Sequence, residues 1–316
     1  MSNVFEGSEK KLEIVLSKKA PSLRKWPLKQ WEAIITAARA QILSSISSEH
    51  CDAYLLSESS LFVWDNRFTM ITCGTTTLVD AAIKALEYIS DDQIDCLVYE
   101  RKNEYFPQMQ KSDFTDDVKR LNKLCSGKAF RLGTVDEHHL FMFHSDRKYK
   151  PELNDRTLEI LMYDLQGTAK EVFNTEGLTR EEIRELTKVD KILAGFNVDD
   201  FAFSPIGYSV NALKDHYYFT IHVTPQEASP YVSFETNMVD KGQIQEVVSS
   251  VIDVFKPRSF DTVFFDSSDR QELIELPGYQ RRCDVRQSFE CGYSLQYGQF
   301  ALPDVVLDSV FELKIE

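Results

Sequence analysis

The chain has 316 residues, 43% hydrophobic and 27% charged, which is ample apolar material for one large core or two ordinary ones. Its formal charge of −14 speaks against nucleic acid and anionic membrane surfaces as partners. No run of about eighteen apolar residues occurs, and Met1-Ser2-Asn3-Val4-Phe5-Glu6 lacks the basic and apolar blocks of a signal peptide, so the cytoplasm is the expected location.

In chain order, β-branched and aromatic runs predict strands at 12–16 and at 54–72, the latter broken by a turn at Asp65-Asn66. Further strands are expected at 96–99, 130–133, 140–143, 157–163, 217–223, 231–234 and 262–265, several with period-two alternation. Helices are expected at 29–46, 78–89, 114–124, 180–187 and 243–255. Thr179 and Glu182 form a capping box for the fourth, and Lys256-Pro257 stops the last. Segment 146–155, charged and containing Pro151, reads as a surface loop. Many strands joined by short turns favour an antiparallel sheet covered by helices over a doubly wound parallel one. No internal repeat, low-complexity tract or linker marks a domain boundary. The six cysteines show no CxxC pair and read as reduced core thiols. His138-His139 has no partner at ligand spacing, so no metal is expected.

One segment breaks the pattern. Ser57-Glu58-Ser59-Ser60 stands between Ala53-Tyr54-Leu55-Leu56 and Leu61-Phe62-Val63-Trp64. Hydroxyls and a carboxylate set into such a strand cost kilocalories unless each finds a partner. Two readings are open from these residues alone: a tight bend or bulge between two edge strands, or an interruption kept for use.

Further motifs decide between them. Phe5-Glu6-Gly7-Ser8-Glu9-Lys10, Thr72-Cys73-Gly74-Thr75-Thr76, Gly207-Tyr208-Ser209 and Thr220-Ile221-His222-Val223-Thr224-Pro225, taken with Leu56 to Val63, resemble the eukaryotic S-adenosylmethionine decarboxylase proenzymes. The resemblance runs from Phe5 to about Asp284. It implies an α+β fold, a four-layer αββα sandwich of two antiparallel sheets with helices on the outer faces. It also implies a single domain over 1–316 that cuts itself at Glu58-Ser59 into a small chain, 1–58, and a large chain, 59–316. Ser59 becomes a pyruvoyl group, which forms a Schiff base with the substrate amine and replaces pyridoxal phosphate as electron sink. The product, decarboxylated S-adenosylmethionine, donates aminopropyl groups for spermidine and spermine. The expected assembly is a homodimer of processed protomers.

Residue by residue, the resemblance makes Cys73 the proton donor to the product α-carbon and assigns Ser209 and His222 to processing. Phe5 and Phe203 stack on adenine, and Glu6 and Glu9 are carboxylates of the site, which Glu58 also lines. The family's ribose-binding glutamate is here Gln226, followed by Glu227; either Glu227 takes over or ribose binding weakens. Glu13, Asp155, Glu159 and Glu235, with Thr157 and Phe265, match a cavity that binds putrescine in animal members. Two departures stand out: Ile71 replaces an expected lysine, and Lys11 stands where putrescine-independent plant members carry arginine. Lys11 and Glu13, two apart on one strand, share a face, so an internal cation is expected to replace the diamine. A catalytically idle regulatory paralogue and a phosphorylated binding module are the competing readings. Retention of Glu58, Ser59, Cys73, Ser209 and His222 together argues against both.

Overall fold

The computed structural model describes residues 9–104, 107–152, 155–224, 230–238, 243–268 and 274–303. The first half of the chain forms β1 (Lys10–Leu16), β2 (Ile42–Ser47), β3 (Asp52–Leu56), β4 (Ser59–Val63), β5 (Arg67–Thr72), β6 (Ile94–Lys102), β7 (Gly127–Leu132) and β8 (Leu140–Ser145). These make one antiparallel sheet of order β2-β3-β4-β5-β1-β6-β8-β7. The second half forms β9 (Arg156–Leu165), β10 (Asn197–Ala202), β11 (Tyr208–Lys214), β12 (Tyr217–Thr224), β13 (Tyr231–Thr236), β14 (Pro257–Asp266), β15 (Gln280–Ser288) and β16 (Ser294–Ala301). Their order is β10-β11-β12-β13-β9-β14-β16-β15, the first order with every number raised by eight. The sequence shows no repeat, yet the two halves share one strand topology.

Period-two alternation builds four layers. On β1, Leu12, Ile14 and Leu16 face helices α1 (Leu28–Ala37), α2 (Leu78–Leu86) and α3 (Phe114–Leu121), with Trp31, Ile34 and Ala82 among their partners. Lys11, Glu13 and Val15 therefore face the other sheet. In the second sheet, Leu158, Ile160 and Met162 of β9 and Phe219 and Ile221 of β12 pack under α4 (Gly167–Phe173), α5 (Arg180–Thr187) and α7 (Ile244–Phe255). A short α6 (Asp190–Leu193) follows α5. Between the sheets lie a third apolar cluster around Val15, Val98, Leu161, Val263 and Phe265, and a small one around Phe62, Leu213 and Tyr218. The rest of that interface is polar, and the candidate site occupies it.

The expected helix over 29–46 is too long. It stops at Ala37, because Arg39 turns left-handed (φ 66°). The Arg39 N–H then bonds the Thr36 carbonyl at 2.9 Å and the Ala40 N–H bonds that of Ile35 at 3.1 Å. That closure is a Schellman motif, and residues 42–47 go on as the edge strand β2. The capping box at Thr179 and Glu182 forms as expected. Lys256 closes α7 in the left-handed region (φ 45°) with its N–H on the Ile252 carbonyl, just before Pro257.

Candidate functional site

β3 and β4 form a hairpin in which Leu56 lies opposite Ser59 and only Ser57-Glu58 turn the chain. Two-residue hairpins usually place left-handed residues in the turn itself. Here neither Ser57 nor Glu58 has a positive φ, and Ser59 carries the deviation, with φ 144°. A non-glycine residue there costs on the order of 1–3 kcal/mol. Ser59 is also buried, and its hydroxyl has no hydrogen-bond partner among the described residues. The Glu58 carbonyl, one bond upstream, accepts from the Cys73 N–H at 3.1 Å and from the Cys73 thiol at 3.5 Å. An idle buried hydroxyl thus sits beside a carbonyl already polarised by two donors. The bend was one of the two readings of this segment. The structure gives the bend, though between two interior strands rather than edge strands, and puts strain and an unpartnered buried hydroxyl in it.

The facing sheet supplies the other groups. Ser209 on β11 and His222 on β12 are cross-strand neighbours, with Ser209 Oγ 3.0 Å from His222 Nδ1. Burial drives the His222 pKa down to about 3, so the ring is a neutral base. Its Nε2 lies 2.8 Å from Thr220 Oγ1. Ser60 reaches across between the sheets and donates to Asn211 Oδ1 at 2.5 Å. That bond docks the hairpin on the strands carrying Ser209 and His222. Ser60, Asn211 and Thr220 are not assigned in the motif reading. The signal for two of them is parity: residues 209 and 211 share one face of β11, and 220 and 222 one face of β12.

Cys73 follows β5, half-buried, and burial beside Glu58 raises its pKa to about 12. It is therefore a protonated thiol, the form a proton donor requires. Thr76 bonds the Cys73 carbonyl at 3.0 Å, and Lys10 Nζ donates to the Gly74 carbonyl at 2.9 Å. Glu9 is buried, accepts from Ser233, and is pushed up to about 8, chiefly by loss of water. Phe203 lies in the turn joining β10 to β11, its ring edge-on to Phe201 at 4.9 Å. Phe5, Glu6, Gln226 and Glu227 lie outside the described residues.

Farther along the interior, the expected internal cation is present, with partners that need correcting. Lys11 is buried and bridges Glu159 at 2.5 Å and Glu235 at 2.7 Å. Glu13 and Asp155 go instead to Arg67. Its guanidinium takes Asp155 in a two-pronged bond and stands 3.7 Å from Glu13. Arg67 escaped the sequence reading because it opens a strand beside a turn, where arginine normally meets solvent. Tyr293 donates to Asp155 at 2.5 Å, and Tyr218 donates to Glu235. Glu100 is a further inward carboxylate. One of its oxygens has no partner among the described residues, and burial holds its pKa well above the usual range. Thr157 and Phe265 line the cluster, while Ile71 is a buried apolar residue. A cavity of about 420 Å3, lined by Glu13, Trp64, Arg67, Asp155, Tyr217 and Tyr218 among others, opens beside it.

The adenosylmethionine decarboxylase family profile matches residues 2–301. The chain belongs to that family. It is 36% identical to the S-adenosylmethionine decarboxylase proenzyme of Dictyostelium discoideum, over 93% of this chain and 85% of that one. The proenzyme of Xenopus laevis is also 36% identical, over 84% of each chain. The crystal structure of the Trypanosoma brucei AdoMetDC-delta26 monomer superposes with a TM-score of 0.59 at 22% identity, covering 77% of this chain and 98% of that one, which establishes the shared fold. Members of the family are carboxy-lyases acting on S-adenosylmethionine.

Glu9 makes a checkable demand on stability. Its pKa is raised in the folded state, so the folded protein keeps a proton that the unfolded chain releases near 4.5. The resulting stabilisation is complete below that pH and is lost as pH rises toward about 8. Urea unfolding at pH 5 and pH 8.5 should show the unmodified protein losing more stability than Glu9→Gln. Parallel losses in the two proteins would refute the assignment.

Proposed function

We propose that this chain is the proenzyme of a pyruvoyl-dependent S-adenosylmethionine decarboxylase and cuts itself between Glu58 and Ser59. The observation that carries the reading is the buried, unpartnered Ser59 hydroxyl at φ 144°, beside a carbonyl that accepts from Cys73. The Ser59 oxygen attacks the Glu58 carbonyl carbon, the C–N bond breaks, and the proton moves to the freed amine, leaving an ester. Attack within one peptide unit gains from proximity, and the Cys73 N–H and thiol stabilise the developing oxyanion. A base then takes the Ser59 α-proton. The Cβ–Oγ bond breaks, the Glu58 carboxylate leaves, and the dehydroalanine formed takes up water and loses ammonia to give pyruvoyl. Neutral His222, paired with Ser209, is the base.

The pyruvoyl group supplies the electron sink that decarboxylation of an α-amino acid needs. Cys73 holds the proton that the product α-carbon receives. Phe5 and Phe203 take the adenine, Glu6 favours the cationic substrate, Glu9 is a further carboxyl of the site, and Gln226 with Glu227 holds the ribose. The enzyme works in the cytoplasm as a homodimer of two-chain protomers. Lys11 and Arg67 neutralise much of the interior acid cluster, so putrescine activates the enzyme weakly.

Three outcomes are expected. On a denaturing gel Ser59→Ala should remain one intact chain, and cleavage in that variant would sink the mechanism. Cys73→Ala should lower kcat by about 10²- to 10⁴-fold and leave alanine, from misprotonation, at the start of some large chains. Mass spectrometry showing no alanine, with kcat unchanged, would remove Cys73 from the site. Lys11→Leu strands two buried glutamates, so it should cost about 3–5 kcal/mol and make stability and activity depend on putrescine. Strong putrescine activation of the unmodified enzyme would contradict this account of Lys11.

A further inference from the structure

His222 needs one particular tautomer, and the structure contains the group that sets it. Thr220 Oγ1 lies 2.8 Å from His222 Nε2, 2.9 Å from the Val210 carbonyl and 3.1 Å from Asn211 Oδ1. A hydroxyl has one proton to give. The Val210 carbonyl can only accept, and the Thr220 proton is assigned to it, in line with the 2.9 Å contact. Toward His222, Thr220 can then only accept. On that assignment Nε2 carries the imidazole hydrogen, and the lone pair is left on Nδ1, 3.0 Å from Ser209 Oγ. All of these side chains are nearly or fully buried, so no bulk water competes for the bonds. Asn211 Oδ1 also receives the Ser60 hydroxyl, which ties the same network to the residue after the scissile bond.

We infer that Thr220 is a positioning residue for self-processing: it fixes the His222 tautomer that leaves Nδ1 basic, and through Asn211 it shares that hold with Ser60. The inference rests on His222 being the processing base. Without the Thr220 acceptor, the ring is free to carry its hydrogen on Nδ1, which then cannot take the Ser59 α-proton. The acyl shift precedes that step, so the loss appears as stalled ester rather than as inert precursor.

The test follows freshly made precursor of Thr220→Val, Thr220→Ser and His222→Ala on denaturing gels, with and without hydroxylamine. Hydroxylamine cleaves the ester and leaves a large chain that begins with a free amino group on Ser59, which mass spectrometry separates from one that begins with pyruvoyl. Thr220→Val should mature between about ten- and ten-thousand-fold slower, the upper figure being the effect of a wrong tautomer in a catalytic triad. It should accumulate hydroxylamine-labile ester, and Thr220→Ser should restore the unmodified rate. A folding defect alone yields neither ester nor rescue. Normal maturation of Thr220→Val beside a stalled His222→Ala overturns the role of Thr220 alone. Normal maturation of His222→Ala overturns the His222 reading and this inference with it. Should Thr220→Val not fold, Thr220→Cys decides, because a thiol is a weak acceptor, and normal maturation of that variant refutes the proposal.

Discussion

Charge that faces inward between the two sheets has to be neutralised where it stands, and much of the architecture follows from that demand. Moving a carboxylate out of water costs several kcal/mol unless a cation or hydrogen bonds meet it. Lys11 and Arg67 project from the first sheet, and Glu159, Glu235 and Asp155 belong to the second sheet or the loop leading into it. Each pairing therefore fixes one sheet against the other as well as cancelling charge. Glu9 and Glu100, which make no ion pair among the described residues, keep their protons instead, chiefly because burial removes water. The registry set by these pairs brings Ser60 to Asn211 and holds Ser209 and His222 in the layer opposite the β3–β4 hairpin.

Ser59 combines two costs. Its hydroxyl is buried without a partner among the described residues, and its backbone lies where side chains are rarely tolerated. Each condition costs free energy, and their coincidence on one residue is the departure from local consistency that marks a site of use. The surroundings hold Ser59 in place through ordinary ladder pairing with Leu56 on one side and Thr72 on the other.

What the sequence discloses follows from how local each signal is. The polar break from Ser57 to Ser60, Cys73 and His222 stood out because their neighbours in sequence carry the family motifs. The helix at 180–187 was legible because its capping box is local too. β15 and β10 were not, since they are sheet edges with largely exposed or charged residues and no alternating apolar face. β2 alternates half-buried and exposed positions on its edge, and with α1 just before it the run reads as continued helix. Arg67 and the bond from Ser60 depend on partners 88 and 151 positions away in sequence, which no local window contains. Lys11 was found through the family resemblance and set beside Glu13 by parity, yet its true partners come from the far sheet.

The position of β1 has one more consequence. In the first sheet it lies between β5 and β6, while β3 is laddered to β4. A break after Glu58 would put β1, β2 and β3 on one polypeptide and β4, β5 and β6, the cross-piece partners of β3 and β1, on the other. The two pieces are interleaved like fingers: withdrawing the small one would strip a central strand from both flanks and carry Lys11 away from Glu159 and Glu235. Scission of that bond would therefore alter the covalent connectivity and leave the folding unit whole, so that for the matured particle dissociation and unfolding would be a single event.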